Sequence, residues 1–178
     1  MILAAGAPFK YFFRLGFIGL VAIGLLIAAA PYRIARITAF LDPWSDPLGS
    51  GFQGIQSLFA ITPGGLFGHG FNNSIQKHFF LPEPQNDFIF AIIIEEFGLI
   101  GGIIVLCLYF MIIYRCFKIS KNLDDNYCKF LLLGLSLTLS IQVFINIGVV
   151  IGLLPVTGIT LPLFSYGGSS LWGFTILL

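Results

Sequence analysis

Long unbroken apolar runs, not a strict alternation, dominate the pattern along this chain. Three runs approach the roughly 20 residues a helix needs to cross about 30 Å of hydrocarbon. The first is LGFIGLVAIGLLIAAA (15–30), which reaches full length once residues 11–13 and the following turn are added, giving a span near 12–31. The second is FGLIGGIIVLCLYFMIIY (97–114), which the preceding FIFAIII extends back to 88. The third runs over 130–154 and is interrupted only by Gln142 and Asn146. A fourth apolar run begins at Leu171 and is cut short, so the chain is expected to be part of a longer protein.

Two intervening segments read differently. Residues 31–87 carry the turn starters DPW and DP and the Gly-rich bends GSG, PGG and GHG. Between them, FQGIQSLFAI predicts a short helix at a membrane surface or inside a cavity. A connection this long is expected to be shaped around a ligand. Residues 155–170 are apolar but broken by Pro155, Gly158, Pro162, Gly167 and Gly168. Non-helical backbone near membrane depth must be buried in protein or line a wet cavity, so this segment is expected to dip back toward the bundle and meet the long loop. The fold class is therefore all-α: a polytopic transmembrane helix bundle with a long external loop containing short helices and a re-entrant-like outer segment.

Basic residues give the orientation. Lys10 and Arg14 precede the first span, and Arg115, Lys118, Lys121 and Lys129 crowd the connection 115–129. Alternating spans put both clusters on one face, which the positive-inside rule makes cytoplasmic. Segments 31–87 and 155–170 are then external.

Composition agrees. The chain has 178 residues, 57% hydrophobic and 10% charged, with mean hydropathy +0.97. Soluble domains carry about 25% charged residues, so this is a membrane protein. A net charge of +1 excludes nucleic acid as an expected partner. Cys107, Cys116 and Cys128 lack metal-ligand spacing and read as reduced and structural. The residues after Met1 form no recognisable signal peptide.

Four carboxylates, Glu83, Asp87, Glu95 and Glu96, stand at the mouth of the second span in LPEPQNDFIFAIIIEE (81–96). Counting back about 20 residues from Tyr114 puts the hydrocarbon edge near Glu95 and Glu96, and Asp87 roughly 12 Å farther out. Asp87 reads two ways, as an N-cap before an apolar helix or as a water-accessible chemical group beside lipid. Glu95 and Glu96 lie about 100° apart on a helix, so one is expected to pair with a polar neighbour while the other sits near headgroups. Glu83, between Pro82 and Pro84, is solvated by default. Gln142 and Asn146 read as interhelical hydrogen-bonding groups. Arg33, Arg36 and Lys77 are candidates for binding phosphates, with snorkelling anchors as the equal alternative. His69 and His78 lack a second ligand at metal spacing, and Ser165 and Tyr166 show no base partner that would make a nucleophile.

Three stretches add more. LDPWSDPLGSGFQGIQSLFAI, GGLFGHGFNNSIQKHFFLPEPQNDFIFAIIIEEFG and PVTGITLPLFSYGGSS, in that order, closely resemble the SEDS family (shape, elongation, division and sporulation), which includes FtsW, RodA and SpoVE. The resemblance covers the chain from about Pro31 to Leu171, and the last stretch looks more like the division and sporulation members. It implies a peptidoglycan glycosyltransferase of about ten spans in the bacterial cytoplasmic (inner) membrane, polymerising lipid II at the outer face. Only the C-terminal half of such a protein is present. The implied partners are a class B penicillin-binding protein, other divisome proteins and membrane lipids. The family's essential carboxylate falls on Asp87, making it the catalytic candidate. The family's common Thr before that residue is Asn86 here, and EEFG replaces EELG; neither change removes a titratable group. The substrate-binding candidates are Lys77, Glu83, Arg33, Arg36, Ser165, Tyr166, Gly167 and Gly168, and Mg²⁺ or Mn²⁺ held by the acidic cluster is the cofactor candidate.

Two rival readings remain at this level. A lipid flippase or transporter predicts a polar path across the membrane, whereas the charges here gather on the outer face. A non-enzymatic division scaffold predicts that Asp87 is dispensable.

Overall fold

The computed structural model describes residues 9–76 and 86–166, which form helices joined by turns with no strand among them. The first helix, α1 (Phe9–Ala28), is apolar on every side beyond Arg14, and its large side chains stand exposed, Phe13 at 70% and Leu20 at 72%. Such a helix faces lipid or other helices, not water. It ends as the chain approaches Pro31, whose ring cannot continue a helix but is well placed to begin one. Pro31 opens α2 (Pro31–Leu41), which turns 97° away from α1.

A 3₁₀ turn (Pro43–Ser45) follows, with Asp42 accepting from the Trp44 N–H at 3.2 Å. The next turn is held by Asp46, which accepts from the Ser50 N–H at 2.8 Å; that hydrogen bond, above all, lowers the Asp46 pKa. These two turns deliver α3 (Phe52–Gly64), the short helix expected from FQGIQSLFAI, with Ile55, Ser57 and Ala60 buried.

Helices α4 (Ile89–Lys121) and α5 (Asn126–Val150) are each long and apolar enough to cross a membrane, and the bent pair α1–α2 supplies a third candidate crossing. α4 runs to Lys121, beyond the expected end at 114. Its last turn carries Lys118 and Lys121, whose charges favour the helix C-terminus. α5 begins at Asn126, ahead of the expected 130, because the Asp125 side chain accepts from the Tyr127 N–H at 3.0 Å as an N-cap. α4 packs between α3 and α5. The core lies along that contact: Phe88, Phe90, Ala91, Ile94, Val105 and Tyr109 of α4 and its entry meet Leu139, Val143, Val149 and Val150 of the third span, with Ala60 and Leu161 closing it. The three cysteines are free.

Candidate active site

Near its N-terminal end α4 is not a continuous helix. Gly98 adopts φ +70° and ψ −171°, which breaks the ladder. The orphaned backbone groups find partners in the chain leaving α3. The N–H groups of His69 and Gly70 donate to the Glu95 and Glu96 carbonyls at 3.0 and 2.9 Å. In return, the N–H groups of Leu99 and Ile100 donate to the Gly65 and Leu66 carbonyls at 3.0 and 3.4 Å. Two interrupted helices thus satisfy each other's ends, which is how broken backbone is tolerated at this depth. The exchange requires glycine: a Cβ on Gly64 would lie 2.4 Å from the Ile94 carbonyl oxygen, and one on Gly68 2.2 Å from that of Glu96.

The crossing also buries both glutamates, Glu95 at 1% exposure and Glu96 at 5%. The expectation that one would sit near headgroups is corrected, because the chain after α3 folds over both. Glu95 accepts from the Ser74 hydroxyl at 2.5 Å and from the N–H groups of Ile75 and Gln76 at 2.8 and 3.3 Å. It anchors the long loop just before Lys77.

Asp87 is half-buried at the head of α4. It is not the helix cap. The N-cap residue is Phe88, with no side-chain cap bond, and the Phe88 carbonyl accepts from Ala91 and Ile92. The capping reading of Asp87 is therefore corrected: Phe88 takes the cap position, and the Asp87 carboxylate lies beside the outer segment. There Gly158 adopts φ +75°, and a Cβ on it would sit 3.6 Å from Asp87 Oδ2.

That outer segment does return to the bundle, tied by groups from three helices. Arg36 of α2 donates to the Val156 carbonyl at 2.9 Å while its guanidinium lies 4.6 Å from the Tyr32 ring centre. Asn146 of α5 donates to the Ile159 carbonyl, and Tyr109 of α4 donates to the Pro162 carbonyl. Each bond supplies a carbonyl that no helix or strand satisfies. Ser165, 2% exposed, accepts from the Leu161 N–H at 2.7 Å, so its hydroxyl serves this turn. Tyr166 is 82% exposed.

The outer segment thus brings Asp87 and Arg36 to backbone positions two residues apart, Gly158 and Val156. Arg36 also borders a cavity of about 100 Å³ with Gln53, Leu58, Val149 and Pro155. Arg33 is not part of this group; it donates back to the Leu26 carbonyl of α1 at 2.6 Å. Lys77, Glu83, Gly167 and Gly168 lie outside the described residues. Among the described residues no three His, Cys, Asp or Glu side chains gather into a cation site, and Glu95 already accepts from three donors.

Reading the sequence alone missed one contributor and gave another different partners. Asn146 was flagged by its polarity within an apolar run, but its partners are loop carbonyls rather than another span. Tyr109 gave no signal, since an aromatic in a membrane helix is unremarkable until its hydroxyl has a partner.

Comparison with known proteins places this arrangement. A family model for FtsW, RodA and SpoVE, described as "Cell cycle protein", matches residues 1–178. The chain is 57% identical over 171 residues to "Stage V sporulation protein E" of Bacillus subtilis (strain 168), covering 96% of this chain and 47% of that protein. It is 48% identical over 175 residues to "Probable peptidoglycan glycosyltransferase FtsW" of Neisseria gonorrhoeae (strain NCCP11945), covering 97% and 38%. A solved structure described as "Structural coordination of polymerization and crosslinking by a peptidoglycan synthase complex" matches with TM-score 0.68 and 35% identity, covering 99% of this chain and 48% of that one. The chain spans about half the length of the curated relatives it matches.

Proposed function

Because this chain belongs to the FtsW/RodA/SpoVE cell cycle protein family, we propose that it carries the catalytic carboxylate of a lipid II-polymerising peptidoglycan glycosyltransferase. The observation that carries the reading is the placement of Asp87: half-buried, one residue before the N-cap Phe88, with its carboxylate beside a tied-down outer segment and a bundle of membrane-crossing length. The reaction takes place at the outer face of the bacterial cytoplasmic membrane. Relatives named for sporulation and for FtsW favour a role in division-type wall synthesis.

In the reaction, a sugar hydroxyl of the acceptor attacks the anomeric carbon of the donor. The new glycosidic C–O bond forms as the bond to the pyrophosphate oxygen breaks, and polyprenyl pyrophosphate leaves with the electron pair. Asp87 takes the hydroxyl proton as general base. The leaving group needs charge stabilisation more than a proton. Arg36 is the described cation best placed for that task, since one guanidinium N–H is spent on Val156 and the rest make no hydrogen bond among the described residues. Lys77 is a second candidate. Arg33, held against α1, would have to leave the Leu26 carbonyl to join them. Exposed Tyr166 is a candidate for contact with the sugars, the Ser165 hydroxyl is spent on the Leu161 N–H, and Glu83, Gly167 and Gly168 stay candidates from the sequence, outside the described residues. Titration with a chelator during turnover decides whether the full site binds Mg²⁺ or Mn²⁺.

The partner we propose is a class B penicillin-binding protein that crosslinks the nascent strands. The test is glycan formation from purified lipid II by a protein of the relatives' full length carrying this sequence, with that partner present. Polymer that depends on Asp87 supports the reading; its absence under conditions where a known relative is active overturns it.

A further inference from the structure

Asn146 lies deep in the packed region, 1% exposed, and spends both hydrogens of one amide nitrogen on two backbones. Nδ2 donates to the Asp87 carbonyl at 2.8 Å and to the Ile159 carbonyl at 2.8 Å. Both carbonyls lie outside helices, where no helical ladder supplies a donor. Between these backbones the Asp87 carboxylate faces Gly158, where a Cβ would stand 3.6 Å from Oδ2. We infer that Asn146 is a positioning residue for the proposed catalytic base: it clamps the Asp87 main chain to the outer segment and so sets the carboxylate's place over Gly158.

The amide chemistry is specific to this task. Two carbonyl oxygens converge on one nitrogen, so a flipped amide would point oxygen at oxygen; the partners fix the orientation. Oδ1 then finds no hydrogen-bond donor among the described residues. Leaving a buried acceptor unsatisfied is costly, so the arrangement gives up one bond to keep two. Asp supplies no donor, Ser and Thr one on a shorter arm, and His at most one per nitrogen. Ser57 is an informative contrast. It is equally buried and donates to the Val150 carbonyl at 2.8 Å, with no hydrogen bond to Asp87 or to residues 155–166.

The inference rests on Asp87 being the base, so the test must separate the two claims. In the full-length protein with its partner, kcat and KM for lipid II are measured for Asn146→Ala, Asp87→Asn, the double variant and Ser57→Ala. A misplacement of about 1 Å costs on the order of 10²-fold, so Asn146→Ala should lower kcat by about 10–100-fold with KM within about twofold. On the Asp87→Asn background the same change should cost less than about twofold, because no base remains to misplace. Ser57→Ala should keep its kcat. If the Ala variant fails to accumulate, Asn146→Ser, which keeps one donor, should show about a tenfold loss of kcat with the same dependence on Asp87. Equal fold-losses on both backgrounds, or normal kcat in the Asn146 variants, would overturn the positioning role while leaving the base assignment standing. Near-normal activity of Asp87→Asn overturns the base assignment and this inference together.

Discussion

A Cβ built on Gly98 would stand 2.3 Å from the Leu66 carbonyl oxygen. This approach holds the external site together, because it lets the Leu99 and Ile100 N–H groups reach the carbonyls at the end of α3. Gly98 also occupies a backbone region open essentially to glycine alone, with a cost of order 1–3 kcal/mol for other residues. Gly98→Ala should therefore lower stability by at least about 2 kcal/mol and reduce the yield of folded protein. An unchanged thermal midpoint in detergent would show that the crossing is looser than described.

Replacing Asp87 with Asn tests the chemistry without disturbing the helix entry. Phe88, not Asp87, is the N-cap residue, and the main-chain bond from Asn146 to residue 87 does not depend on the side chain. Insertion and partner binding should persist while polymerisation falls by about 10²–10⁴-fold, the usual contribution of a general base. Glu83→Gln should cost far less. Chain formation at matched protein levels is the measurement, and near-normal activity of Asp87→Asn would return the residue to a structural role.

Glu95→Gln should loosen the long loop where it approaches Lys77. The carboxylate accepts from Ser74, Ile75 and Gln76, whereas Gln offers one acceptor oxygen and turns an NH₂ toward the remaining donors. Losing a charge-assisted bond in a buried site costs roughly 1.5–3 kcal/mol. Hydrogen exchange at the Ile75 and Gln76 amides should accelerate relative to α5. Unchanged protection there would mean that other contacts carry this turn.

Sidedness has a direct check. Ser45, in the turn after α2, and Cys128, near the start of α5, are both exposed. A membrane-impermeant thiol reagent applied to cells from outside should label Cys placed at Ser45 and leave Cys128 untouched until the membrane is opened. Reversed labelling would put Asp87 on the cytoplasmic side and overturn the proposed site.

Much of this protein is written locally. Apolar runs of spanning length, the Gly and Pro breaks of 155–166 and the FQGIQSLFAI pattern each state a preference that a few neighbouring residues decide, whereas the helix Pro31–Leu41 is not among the elements expected within the long loop. They are legible because helix formation, turn formation and membrane burial act over one or two turns of chain. The same stretches carry the family resemblance and single out Asp87.

Tertiary structure decided how those pieces satisfy one another. Asn146 and Asp87 are 59 residues apart, and Arg36 and Val156 are 120 apart. No periodicity reports which distant carbonyl a buried donor will meet. Nor does local sequence show that Glu95 and Glu96 are both covered, or that Phe88 displaces Asp87 as the cap residue. Each of these follows from one physical demand: where broken backbone is packed away from water, every orphaned N–H and C=O needs a partner, and only the folded chain determines which groups come within reach.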